Sequence, residues 1–193
     1  NVKLSLPITW ELKESVNTKF KKNIDENNIL FMGKVIKEKG IFQLVESFIK
    51  LNSKYNNKKF NLLIVGDGKD LKSLQMYVNK MNINNIKFYG WVEDYNKLIN
   101  IFLKTKLLVC PTLKGYPEGV PRVIDDAGNF KIPAIVSNVG GMKEEFLDGS
   151  AYIFNPNNEK LDECISKMLF DENLRKNILN QYKIKNKNAD YQN

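Results

Sequence analysis

With 193 residues, 42% hydrophobic and 11% aromatic side chains, the chain is long enough to bury one sizeable core and too apolar to be disordered. It has no histidine and only two cysteines, which excludes Ser–His–Asp and Cys–His nucleophiles and argues strongly against a zinc site. The net charge of +8 comes almost wholly from scattered lysines with no recognition motif around them, so it fits a solvated surface best, with a phosphate ligand or anionic lipid as sharper readings and nucleic acid a weak one.

Residues 1–23 are polar and mixed, and read as a connector or as the remainder of a preceding domain. Ile29-Leu30-Phe31-Met32 then predicts a buried strand, and Ile41, Leu44, Val45, Phe48 and Ile49 follow at helical spacing. Phe60 to Val65 predicts a second strand ended by Gly66, and Leu71, Leu74, Val78 and Met81 mark a second amphipathic helix. Ile86 to Tyr89 is a third strand ended by Gly90, with a short helix around Leu98, Ile101 and Phe102. Leu107-Leu108-Val109-Cys110 is a fourth strand stopped by Pro111. A Gly/Pro turn and a helix come next, then a strand at Ala134-Ile135-Val136, Gly140-Gly141 before another helix, and a short strand at Tyr152-Ile153-Phe154. Leu161, Ile165, Met168 and Leu169, then Leu174 and Ile178, predict closing helices, and residues 183–193 read as a polar tail.

Strands that are apolar throughout and alternate with helices imply an α/β fold, a doubly wound, Rossmann-like parallel sheet covered on both faces over residues 24–182. In such sheets ligands bind at the carboxyl ends of the strands. Cys110 and Cys164 fall on a predicted strand and a predicted helix, as buried thiols suited to a reducing cytoplasm. No apolar run approaches the roughly 20 residues of a spanning helix.

The densest signal is Glu118-Gly119-Val120-Pro121, followed by Asp126-Ala127. If a helix opens at Glu118, the two acids lie about two turns apart on one face, and Glu118 sits beside free amides that suit an anion. Acids for hydroxyl groups next to amides for phosphate suit a nucleotide-sugar. Lys34 and Lys39 flank the turn after the first strand, where they are placed to meet a diphosphate, although a lysine-rich loop in a lysine-rich chain means nothing by itself. Gly66-Asp67-Gly68 is an incomplete dinucleotide fingerprint, because Leu71 stands where its third glycine would be; a sharp strand-to-helix turn explains it better. Trp91 is placed either to stack on a base or to pack, and Gly140-Gly141 would let backbone approach a ligand. No Asp-x-Asp occurs, and the adjacent Asp125 and Asp126 would point about 100° apart on a helix, a poor metal pair.

In order, Met32-Gly33-Lys34, Lys39-Gly40, Ile64-Val65-Gly66-Asp67-Gly68, Phe88-Tyr89-Gly90, Glu118-Gly119-Val120-Pro121, Asp126-Ala127, Ile132-Pro133-Ala134-Ile135-Val136, Gly140-Gly141, Glu144 and Asp148-Gly149 resemble the C-terminal half of a GT-B glycosyltransferase of family 4, the glycosyl transferases group 1. The resemblance implies the donor-binding domain of a retaining, metal-independent, cofactor-free enzyme that moves a sugar from a UDP- or GDP-sugar to a glycan or lipid-linked acceptor. Glu118 would hydrogen-bond the transferred sugar, and Lys34 and Lys39 would hold the diphosphate. The backbone around Gly119, Val120 and Pro121 would hold sugar and phosphate, and Asp126 the ribose. Gly33, Trp91, Val92, Gly140 and Gly141 complete the expected donor set. The family usually has Glu at Asp126 and Arg at Lys34; the first is one methylene shorter here, and the second cannot make a bidentate phosphate contact. The resemblance also implies a cytoplasmic parent protein with a separate N-terminal acceptor domain, which would carry any peripheral membrane contact. This chain alone is expected to bind donor and turn over little of it. Competing readings are a nicotinamide-dependent oxidoreductase, a non-catalytic nucleotide-sugar module, and a nucleotide-sugar epimerase of the same fold.

Overall fold

The computed structural model describes residues 27–58 and 60–190, so the connector read at 1–23 lies outside the described residues. Six strands form one parallel sheet: β1 (Asn28–Met32), β2 (Asn61–Val65), β3 (Ile86–Gly90), β4 (Thr105–Cys110), β5 (Ala134–Ser137) and β6 (Tyr152–Phe154), in the order β3-β2-β1-β4-β5-β6. The helices are α1 (Ile41–Lys54), α2 (Leu71–Lys80), α3 (Tyr95–Leu103), α4 (Val123–Asn129), α5 (Met142–Glu145), α6 (Leu161–Phe170) and α7 (Glu172–Asp190).

Side chains alternate across a strand, so a sheet covered on both faces needs apolar residues at every position. Ile29, Phe31, Leu62, Ile64, Leu107, Val109 and Ile135 enter one core with α1, α2 and α6. Their neighbours Leu30, Leu63, Val65, Leu108, Cys110, Ala134 and Val136 enter the other with α3, α4 and α5. The helices obey the same logic at a period of 3.6: Ile41, Leu44, Val45, Phe48 and Leu51 of α1 are all buried. In the second layer the rings of Phe102 and Phe130 stack at 4.9 Å and brace α3 against the end of α4. Met81, expected on the apolar face of α2, instead follows its last turn and is half-exposed.

The chain continues in a helix beyond residue 182. Leu174 and Ile178 of α7 pack on the first core. The Tyr182 hydroxyl then donates to the Asp125 carbonyl in the second layer at 2.9 Å, and its ring fills the space a Cβ on Gly128 would need. Lys185 follows with a bond to the Glu145 carbonyl at 2.6 Å. This one helix therefore ties the two layers together, and residues 183–190, read as tail, belong to it.

Both thiols are buried, as expected, and burial pushes Cys110 up to about 12 and Cys164 up to about 11. No described helix is long and apolar enough to cross a membrane.

Candidate functional site

The strand order reverses between β1 and β4, whose connections leave on opposite faces of the sheet. That divergence opens a crevice at the carboxyl ends of the two strands. The segments after β1 and β4 carry Lys34, Lys39 and Glu118, and backbone contacts join them there.

The first segment is held by its neighbour on β2. Gly33 donates to the Val65 carbonyl at 3.0 Å, Val35 to that of Asp67 at 2.9 Å, and Asp70 returns a bond to that of Val35 at 3.1 Å. A Cβ at Gly66 or Gly68 would lie 2.9 Å from the Gly33 carbonyl carbon or 2.8 Å from that of Val35. The Gly-x-Gly is therefore the close approach of two loops, the structural role the sequence favoured. It also follows β2, whereas a dinucleotide fingerprint opens the turn after the first strand of its unit, at the switch point. This geometry removes the basis of the oxidoreductase reading.

A short 3₁₀ turn, Lys37–Lys39, ends at Gly40 with φ of +70°. A Cβ there would overlap the Pro111 carbonyl, 2.8 Å from its carbon. Only glycine brings this turn so close to the segment after β4. Leu113 donates to the Glu38 carbonyl at 2.9 Å and completes the seam. Lys39, just before Gly40, is thereby aimed at Glu118.

Glu118 does not open a helix. Residues 111–122 are irregular, α4 starts only at Val123, and the amides of Ile124 and Asp125 donate to the Pro121 and Arg122 carbonyls. The expectation that Glu118 and Asp126 share one helical face is therefore corrected, because Pro117 and Pro121 bracket the acid in a loop. Its side chain is 10% exposed. Oε2 accepts from the Lys39 ammonium in an ion pair, and from the Thr112 hydroxyl at 3.0 Å. Oε1 has no partner among the described residues. The Tyr116 ring lies 5.3 Å from the same ammonium.

A third loop also reaches this acid. Gly141 donates to the Glu118 carbonyl at 3.2 Å, and a Cβ on Gly140 (φ +56°) would lie 3.1 Å from the Glu118 carbonyl carbon. Gly140 thus has a structural reason to be glycine, namely holding the Glu118 backbone, whereas the Cβ position of Gly141 is open space. The segments after β1, β4 and β5 therefore converge on one residue, the first two at or beside its carboxylate and the third at its backbone carbonyl. Next to it the N–H groups of Gly119 and Val120 donate to nothing among the described residues, and the space at Gly119 is open. Pro121, which has no N–H, accepts at its carbonyl. Lys34 is exposed at the mouth of the first segment, its ammonium unpaired among the described residues.

The remaining expected residues stand apart from this cluster. Trp91 is 38% exposed just beyond β3, at the sheet edge, while the side chain of Val92 is buried in the second core and could reach a ligand only through its backbone. Asp126 is half-buried on α4. It lies close enough to Tyr95 to add, after burial, to the upward push on that phenol, whose buried oxygen has no hydrogen-bond partner among the described residues. Thr112 and Tyr95 were missed by sequence reasoning. Only the proximity of Thr112 to a strand end hinted at either.

The family described as Glycosyl transferases group 1 matches residues 13–185. Among curated relatives, CapJ of Staphylococcus aureus is 31% identical over 86% of this chain and 42% of its own length. The capsular polysaccharide biosynthesis glycosyltransferase CapM of the same organism is 28% identical over 83% of this chain and 41% of its own. The chain thus spans about two fifths of the length of the curated relatives it matches. Among solved structures, the C-terminal domain of the group 1 glycosyl transferase LpcC of Francisella tularensis superposes with a TM-score of 0.66 at 23% identity, covering 81% of this chain and 82% of that one. Anabaena HepE in complex with UDP and glucose superposes with a TM-score of 0.67 at 17% identity, covering 88% of this chain and 44% of that one. The superpositions speak for the fold, a GT-B C-terminal Rossmann-like domain. Together with the family match across most of its length, they make this chain a member of the glycosyl transferases group 1 family.

Proposed function

We propose that this chain is the donor-binding domain of a retaining, metal-independent glycosyltransferase that takes a sugar from a nucleoside-diphosphate sugar. The observation that carries the reading is the convergence of three loops on Glu118 at the switch point, with Lys39 paired to it and two unbonded amides beside it. Lys39 and Lys34 meet the diphosphate, and Glu118 and the Gly119 and Val120 amides meet the transferred sugar. Asp126 meets the ribose, with Trp91 and the backbone at Val92 toward the base. As the glycosidic bond breaks, its electron pair passes to the departing phosphate oxygen. A fixed cation is worth most at that atom, because charge grows there in the transition state. HepE was solved with UDP and glucose, which supports UDP as the first nucleotide to try. CapM is named for capsular polysaccharide biosynthesis, which supports a glycan acceptor. The acceptor surface belongs to an N-terminal domain of the parent, so the isolated chain binds donor and transfers little.

Isothermal titration with UDP, GDP and NADH tests this. One nucleoside diphosphate binds, and Lys39→Ala and Asp126→Ala each weaken it by about tenfold or more. Binding of NADH instead, or affinity untouched in both variants, refutes the assignment. Detectable sugar transfer by the chain alone refutes the claim that it is only the donor half.

A further inference from the structure

The carboxylate of Glu118 is held from one side only. Among the described residues its two side-chain partners, Lys39 and Thr112, both donate to Oε2, and Oε1 has none. The backbone of Glu118 is already fixed through Gly140 and Gly141. The remaining freedom of this side chain lies in its own torsions, and the two donors settle which oxygen faces outward.

The two donors are not equivalent. Lys39 reaches Glu118 on a flexible four-carbon stem, and its ammonium is the group assigned to the diphosphate. An incoming diphosphate competes for that ammonium. Thr112 has one short β-branched side chain with few rotamers, directly beyond Pro111 and the end of β4, and it is 2% exposed. Short and buried, it cannot follow a ligand. We propose that Thr112 is a positioning residue. Its hydroxyl keeps Oε2 in place when the diphosphate draws on Lys39, so that Oε1 stays presented to a hydroxyl group of the transferred sugar. The assignment rests on the donor-domain reading above.

A positioning role of this kind has a signature that a merely structural role lacks. It affects the sugar's contribution to affinity and leaves the nucleotide's contribution alone. The test titrates the 193-residue chain with UDP and GDP, and with UDP-glucose, UDP-galactose, UDP-N-acetylglucosamine and GDP-mannose, in the wild type and in Thr112→Val and Thr112→Ser. The wild type binds one sugar donor more tightly than the matching nucleoside diphosphate. Thr112→Val removes about tenfold of that gain while the affinity for the nucleoside diphosphate stays within about twofold, and Thr112→Ser restores the gain. Melting curves accompany each variant; if Thr112→Val does not fold, Thr112→Ala carries the comparison.

Equal weakening of nucleotide and sugar donor overturns the proposal, because it marks general damage to the loop. So does an unchanged sugar gain in Thr112→Val, a failure of Thr112→Ser to restore it, or a wild type in which no sugar adds affinity. Failure of the wild type to bind either nucleoside diphosphate is a different result, one that overturns the donor-domain reading itself.

Discussion

Replacing Gly40 by alanine tests how the site is assembled. Gly40 has φ of +70°, a conformation that costs a residue with a Cβ about 1–2 kcal/mol. The new Cβ would also lie 2.8 Å from the Pro111 carbonyl carbon and overlap its oxygen, against an ordinary separation of roughly 3.5–4.0 Å. The neighbour is backbone at the end of β4 and cannot rotate away. Crowding of this kind costs about 1–3 kcal/mol, so the total is about 2–5 kcal/mol, on the order of 10 °C in Tm for a domain of this size. Thermal and urea melts measure it. Gly119→Ala serves as the reference, because its Cβ meets nothing within 4 Å and its stability stays within about 0.5 kcal/mol of wild type. The same substitution at Gly40 also parts Lys39 from Glu118, so nucleoside-diphosphate affinity falls with stability. A Gly40→Ala variant that melts with the wild type, or no lower than Gly119→Ala, would refute the reasoning that Gly40 and Pro111 hold the two loops together.

Tyr182→Phe removes the bond to the Asp125 carbonyl and lowers stability by about 1 kcal/mol, whereas Tyr182→Ala also empties the space over Gly128 and costs about 3–5 kcal/mol in urea denaturation. The Glu38 carboxylate accepts from Lys69, chiefly for which reason it titrates below the ordinary value of 4.5. A depressed carboxylate stabilises the fold fully above that value, and the contribution fades as pH falls through the lowered pKa. Carboxyl NMR titration should therefore show Glu38 moving back up in Lys69→Met. Cys110 and Cys164 react with a thiol reagent at pH 8 only after unfolding, because burial raises both thiols well above that pH; prompt reaction of the native chain would contradict the packing.

Much of the fold is readable from residue order alone. The strand that became β4 shows as Leu107-Leu108-Val109-Cys110 because a strand buried on both faces has no polar position, and Pro111 ends it because proline cannot extend the ladder. The face of α1 shows in Ile41, Leu44, Val45 and Phe48 for the equivalent reason at helical period. The loop around Glu118 was not readable in this way. A Gly/Pro-rich stretch before an apolar run is compatible with a helix opening at several positions, and the choice of Val123 depends on what holds residues 111–122. Val92 carries no local sign that its side chain turns into the second core.

Local composition and periodicity determined which residues form strands and helices, since each element must bury an apolar face of its own. The resemblance of the motif order to a sugar-transferring family, not composition or periodicity, marked Lys39, Glu118 and Gly140 as notable. Which of these groups meet was decided only by tertiary structure. The reversal of strand order between β1 and β4 brings the loops together, and the missing Cβ atoms of Gly40 and Gly140 let backbones close on Pro111 and Glu118. The hydroxyl of Thr112 gains its significance from the same convergence. A contact between loops depends on two distant segments at once, and no pattern within either segment encodes the other's position.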